Sequence, residues 1–348
     1  MTEIAVPIYF YIPQEYFSAQ SWPKNADEYW EWQCQQDSIS PMQSGGFFWT
    51  LQTYLCLNDN GFPCKLVDTL PAEGIIIAHR DFLDESIQPN SKQLFVCLRA
   101  DVDRHPYAQL HVVQNLHQAI PKKSTTLWES HFIPHWPQPD IIPRNRVRGD
   151  RFENVTFIGN QINLGEEFQD DKWYAQLQKL GLKFHQQLTH QDWNNYQDTD
   201  VILAIRKFGT DDEWYGKPAS KLYNAWLAGI PAILGYESAF RDERKNELDY
   251  LEVTSYEAVV SALKRLQEDK NLRLAMVENG WLRAKEVQKD EMVAKWQSFI
   301  INVATPRYEQ WCSLAKWQQK IFFVFRNLFI YSRPTYYVFK SLLKSFKK

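Results

Sequence analysis

The sequence lacks most of the patterns that announce a chemistry. Its five cysteines, Cys34, Cys56, Cys64, Cys97 and Cys312, are scattered without metal-ligand spacing. That excludes a zinc ribbon and a disulfide framework and fits a reducing cytosol. No apolar run approaches the roughly 20 residues that span a bilayer. The first residues carry no charged segment followed by an apolar core. Neither a transmembrane span nor a secretory signal is therefore expected. A glycine-rich dinucleotide fingerprint, a P-loop, zinc spacings and serine-hydrolase signals are all absent. Charge of one sign is not in excess either. Lys and Arg number 39 against 42 Asp and Glu, a net charge of −3, which does not suggest a nucleic-acid partner.

What is present is a core. Apolar residues make up 44% of the 348 positions and charged residues 23%, enough for two domains of ordinary size. Aromatics reach 15%, with 14 Trp, a weak hint of sugar-binding platforms that large cores share. Residues 4–12 read as a first strand, which Pro7 pushes toward an edge or a bend. Short helices are expected near Tyr29–Cys34 and near Trp193–Tyr196. Ser44-Gly45-Gly46 precede a helical segment, 47–57. Strand, glycine pair, helix lets a backbone approach a ligand closely, so Gly45 and Gly46 are candidate loop contacts. A plain helix-entry turn is the other reading.

Near-continuous apolar runs at 64–68, 74–79, 93–99 and 109–115 read as strands of a parallel sheet buried on both faces. Polar residues gather where these runs end, among them His79, Asp101, Asp103 and Asn115. The Pro- and Arg-rich residues 134–150 read as a linker. Beyond it strand and helix alternate, with Arg206 and Lys207 leaving the apolar run of 201–208. The fold class expected is α/β, with two Rossmann-like domains facing a cleft and a basic aromatic helical tail. The divisions are 1–143, 144–310 and 311–348.

The chain is organised around GKPASKLYNAWLAGIPAILG, Gly216 to Gly235. Pro218 suits a first helical turn, Leu222, Tyr223, Trp226 and Leu227 form an apolar stripe, and Gly229 with Pro231 ends the helix. Lys217, Ser220 and Lys221 sit at the helix start, where free N–H groups and the dipole favour an anion. A capped surface helix with two solvated lysines is the alternative.

This stretch, with the residues after it, resembles the donor-binding half of GT-B glycosyltransferases, over about residues 150–300. KLYNAWLAGIPAILGYESAF looks most like the inverting α1,3-fucosyltransferase-like enzymes. Lys221 matches that family's lysine, which contacts the donor phosphates. Ser220 stands where the family has glutamate. Gly216 and Asn224 occupy the positions of the two glutamates of retaining families, a departure that argues against that subgroup. Glu237 is then a candidate for the ribose contact. The resemblance implies a nucleotide-sugar co-substrate, GDP- or UDP-linked, with no cofactor or metal. It further implies a glycan or lipid-linked acceptor and inversion by direct displacement. Polysaccharide biosynthesis at the cell envelope and a hexosyl or deoxyhexosyl donor fit that reading.

Individual residues leave alternatives open. Arg206 can hold a phosphate bidentately or pair with nearby acids. His79 ends a buried strand and is a candidate base, or a hydrogen-bonded structural histidine. Asp101-Val102-Asp103 resembles the DxD that holds a divalent ion in GT-A enzymes, although Arg99 and Arg104 flank it. A metal-dependent transferase using Asp101 and Asp103, or a non-catalytic glycan- or nucleotide-binding protein, remain as rivals. Residues 311–348 hold eight Lys/Arg, no Asp/Glu and eleven aromatics. Leu314, Trp317, Ile321, Val324, Phe325 and Leu328 recur there at helical spacing, as in a helix lying in an anionic membrane interface. A cytoplasmic protein with this tail on the membrane surface is expected. Packing of the tail on the N-terminal domain is the other possibility.

Overall fold

The computed structural model describes residues 6–17, 22–35, 41–119, 128–208 and 216–328. In the first half, β1 (Ile8–Tyr11) leads through α1 (Gln14–Phe17) and α2 (Tyr29–Cys34) into the long α3 (Pro41–Asp59). Strands β2 (Lys65–Val67), β3 (Gly74–His79), β4 (Gln93–Leu98) and β5 (Leu110–Val113) follow, then α4 (Leu116–Ala119) and β6 (Glu129–Phe132). All pair in parallel in the order β2-β1-β3-β4-β5-β6. Every residue of β3 and β4 is buried, as their unbroken apolar runs require of strands covered on both faces. Alternate side chains feed two cores: Ile75 and Ile77 join one, Ile76 and Ala78 the other.

The second half repeats the design. Strands β7 (Asn154–Ile158), β8 (Lys183–Gln187), β9 (Val201–Ala204), β10 (Ala232–Gly235) and β11 (Leu251–Val253) pair in parallel in the order β11-β10-β9-β7-β8. Helix α5 (Asp171–Lys179) is capped by the Asp170 side chain, and α6 (Ser220–Ala228), α7 (Ser238–Glu243) and α8 (Tyr256–Glu268) connect later strands. In both sheets the strand order reverses beside the first strand, the doubly wound pattern that opens a crevice outside the carboxyl ends. These two parallel α/β sheets are the architecture expected from the sequence.

After α9 (Lys270–Ala284) the chain returns to the first sheet. From α10 (Lys289–Phe299), Met292, Val293, Trp296 and Phe299 enter the N-terminal core, and Trp296 meets Trp49 edge-on at 6.0 Å. A π-helical turn, Ile300–Ala304, and α11 (Thr305–Ser313) extend the contact, with Trp311 buried. A further helix, over 316–328, lies on the same domain. Among the described residues no helix is long and apolar enough to cross a membrane.

Three local expectations change. Helix α3 begins at Pro41, so Gly45 and Gly46 lie within it rather than in a loop before it. A Cβ on Gly46 would come within 2.8 Å of the Phe82 ring, so packing there offsets the helical cost of glycine. The segment near Trp193 to Tyr196 is a turn, following a 3-10 turn at His190–Asp192. The residues expected to be a linker are packed: Trp136 is buried, and Arg144 and Arg148 both bind the buried Asp200 carboxylate. The part of the tail from 329 to 348 lies outside the described residues.

Candidate functional site

A cavity of about 260 Å³ opens between the two sheets, at the carboxyl end of β7 where the second sheet reverses its strand order. Its wall on the second domain includes Gly159, Asn160, Asn163, Arg206, Ser220, Lys221 and Asn224. On the first domain Gln33, Gly45 and Phe48 face them, with His135, Trp136 and Gln138 from the connecting segment.

The start of α6 borders this cavity. Ala219 is its N-cap and supplies no side-chain cap, and Ser220, expected to help there, is the first helical residue instead. Leu222 N–H turns back to the Ala219 carbonyl, and among the described residues no side chain caps the first turn, an end that suits an anion. At the far end Gly229 takes the left-handed conformation, and a Cβ there would approach the Trp281 indole to 2.8 Å. That stop fixes where α6 ends.

Lys221 reaches back from the helix to the end of β7, where its ammonium donates to the Ile158 carbonyl and lies 4.9 Å from the centre of the Phe157 ring. Gly159 makes room for it: its φ is +137°, and a Cβ would stand 2.6 Å from Nζ. Burial, with the neighbouring Arg206 charge adding to it and Glu237 opposing, lowers the Lys221 pKa to about 7. A lysine so destabilised in its charged form is restored by an anion.

Arg206 donates Nε to Asn163 Oδ1 at 3.1 Å and forms an ion pair with the buried Glu237. Glu237 Oε1 is buried without a hydrogen-bond partner among the described residues. So are two donors of the cavity wall, Trp193 Nε1 and Gln138 Nε2. Two such donors on one cavity wall suit a polar ligand. Trp193 also packs on His190, which packs on Trp30, an aromatic wall joining the two domains.

The remaining sequence candidates fall in different places. Asn224 lines the cavity and accepts from the Gln138 N–H at 2.9 Å. Lys217 lines it too, but its ammonium pairs with Asp101 across the domains, beside Gly216, where a Cβ would press 2.9 Å from the Asp101 Cα. Burial works against ionisation of Asp101, and the Lys217 bond and charge outweigh it, so its pKa is lowered. Asp103 is exposed, and among the described residues no group of three His, Cys, Asp or Glu could hold a metal ion. The lysine thus stands where a DxD reading would place a cation. Lys207 is exposed and Gly46 faces Phe82; neither lines the cavity. His79 is buried behind the wall, accepts the Asp81 N–H through Nδ1 at 3.2 Å, and has its pKa lowered by burial.

Two histidines line the cavity, His190 of the aromatic wall and, from the connecting segment, His135. The His135 ring stacks on Phe48 at 4.7 Å, and Nδ1 lies 2.7 Å from the Trp136 carbonyl, so Nδ1 carries the proton and Nε2 is an acceptor. Burial lowers its pKa to about 4, partly offset by that carbonyl and by the nearby Asp101 charge. Nothing in the composition of residues 134–150 singled it out. A histidine among prolines reads as linker until the two domains close on it.

No family model and no curated protein matches the chain. Solved structures do. Sucrose-phosphate synthase from Thermosynechococcus elongatus is 12% identical over 77% of this chain and 82% of its own, with a TM-score of 0.46. Anabaena HepE in complex with UDP-glucose is 12% identical over 86% of this chain and 100% of its own, at 0.44. The pneumococcal O-GlcNAc transferase GtfA, in complex with UDP and GlcNAc, is 12% identical over 73% of this chain and 60% of its own, at 0.44. Scores this low carry no function across.

Proposed function

We propose that this chain is a glycosyltransferase that moves a hexosyl or deoxyhexosyl group from a GDP- or UDP-linked sugar to a glycan or lipid-linked acceptor presented at a membrane face. The observation that carries the reading is Lys221: a lysine with its pKa near 7, over an uncapped helix start, at the reversal point of a parallel sheet. That site offers charge and N–H donors to a diphosphate, and the two acids beside it are already engaged, Glu237 by Arg206 and Asp101 by Lys217. Glu237 Oε1 is available to a ribose hydroxyl, and the Trp193 and Gln138 donors to sugar or phosphate oxygens.

The mechanism that fits is direct displacement with inversion. The diphosphate gathers negative charge as it leaves, and Lys221, Arg206 and the start of α6 stabilise that charge from fixed positions. His135 takes the proton of the acceptor hydroxyl at Nε2, while Nδ1–H to the Trp136 carbonyl holds the tautomer. Asp101 favours the imidazolium so formed. Incubation with a panel of nucleotide sugars, with and without EDTA, tests this. Transfer or hydrolysis that persists in chelator is expected. Activity lost in EDTA and restored by manganese would replace the mechanism. Tight nucleotide-sugar binding with no turnover on any acceptor would leave a binding protein of the same fold.

A further inference from the structure

The helix over 316–328 is fastened to the N-terminal domain by a side that mixes polar and aromatic residues. Gln319, buried, donates Nε2 to the carbonyls of Ser91 at 3.2 Å and Trp311 at 2.8 Å. The Arg326 guanidinium, also buried, lies between the rings of Trp128 and Phe322, at 4.4 and 4.7 Å. Tyr107 donates its hydroxyl to Asn327 at 2.6 Å, and Phe322 and Phe323 pack on the domain core.

The opposite side is apolar and in solvent. Trp317 is 62% exposed, Ile321 43%, Val324 54%, Phe325 55% and Leu328 62%. Their spacing makes one continuous helical stripe. A helix that needed only to hide apolar surface would turn this stripe inward; here Gln319 and Arg326 face the protein beside Phe322 and Phe323, and the stripe stays outside. Exposed contiguous apolar surface of this kind marks an interaction site. Exposed Lys316 and Lys320 share the helix surface with the stripe. The sequence beyond continues with Arg333, Lys340, Lys344, Lys347 and Lys348 and no acidic residue.

We infer that this stripe seats the N-terminal domain in the interface of an anionic lipid bilayer, with Trp317, Phe325 and Leu328 in the acyl boundary and Lys316 and Lys320 at the headgroups. Charge decides between this occupant and the others. A second copy laid on the stripe would bring Lys316 and Lys320 against their own kind, and residues 329–348 folded back would bring five more cations there. An anionic surface meets the apolar stripe and the lysines together. This names the membrane partner of the proposed transferase, and its test does not depend on turnover.

The test is co-sedimentation of the full chain with vesicles of phosphatidylcholine alone and of equal parts phosphatidylcholine and phosphatidylglycerol. Salt-sensitive pelleting with the anionic vesicles is expected. The exposed double substitution Trp317→Ser with Phe325→Ser should reduce partition by about tenfold or more while leaving the thermal midpoint unchanged. Lys316→Glu with Lys320→Glu should weaken binding in low salt and remove much of its salt dependence. The proposal is overturned if the wild-type chain does not pellet, or if the Trp317/Phe325 variant pellets like wild type. It is also overturned if light scattering shows a dimer that this variant dissociates and vesicles do not compete for.

Discussion

Lys221 makes a proton-linked prediction. In the empty cleft its pKa is about 7, whereas a bound diphosphate within hydrogen-bonding reach should return it toward the ordinary value near 10.5. At pH 8 about nine in ten of the free lysines are then neutral and nearly all of the bound ones charged, so binding should take up about 0.9 proton. The diphosphate itself is already ionised there, because its last proton leaves near pH 6. Affinity should fall about fifty-fold from pH 7 to pH 9. Calorimetric titration with UDP and GDP at pH 8, in buffers of different ionisation enthalpy, reads the uptake directly. Lys221→Met should abolish it. The free protein gives an independent sign. The folded pKa lies below the unfolded one, so between about pH 7 and 10.5 the unfolded chain binds more protons and this residue's contribution makes stability rise with pH. Lys221→Met should flatten that slope. Binding without proton uptake in the wild type, or equal uptake in Lys221→Met, would refute the assignment of this lysine to the diphosphate.

Gly159→Ala should cost about 1–3 kcal/mol in urea unfolding, because the residue holds φ at +137° and its new Cβ would meet Lys221 Nζ. Diphosphate affinity should fall with it. Arg206→Ala leaves the Glu237 carboxylate buried and unpaired, for about 3–5 kcal/mol, and the double variant with Glu237→Ala should recover most of that loss. Equal melting of the single and double variants would show that the pair is not coupled. His135→Gln should lower kcat about 10²- to 10⁴-fold with KM little changed, while His79→Gln should act mainly on stability. The reverse outcome in steady-state kinetics would return the base to His79.

The legible part of the molecule was its local grammar. Alternating buried strands and amphipathic helices follow from runs such as 74–79 and 93–98, whose side chains cannot be hidden except on both faces of a parallel sheet. Gly229 and Pro231 set the end of α6 wherever that helix lies, because no other residues adopt those conformations as cheaply. Lys221 was legible as a phosphate candidate because its place in the first helical turn is a local fact. The helical stripe from Trp317 to Leu328 was equally a matter of spacing.

Tertiary structure decided what those residues meet. Burial halves a residue's choices only after two chain segments close on it, so the lowered pKa of Lys221 and the Lys217–Asp101 pair have no trace in spacing. The placement of His79 away from the cavity wall and of His135 on it has the same cause. A strand end looks like a site, but packing behind α3 buries it, whereas a proline-rich connection looks inert until the domain closure turns its imidazole toward the cleft. The tail shows it most plainly. Periodicity gives a helix two faces, and only the contacts of Gln319 and Arg326 with the N-terminal domain determine which face is left in solvent.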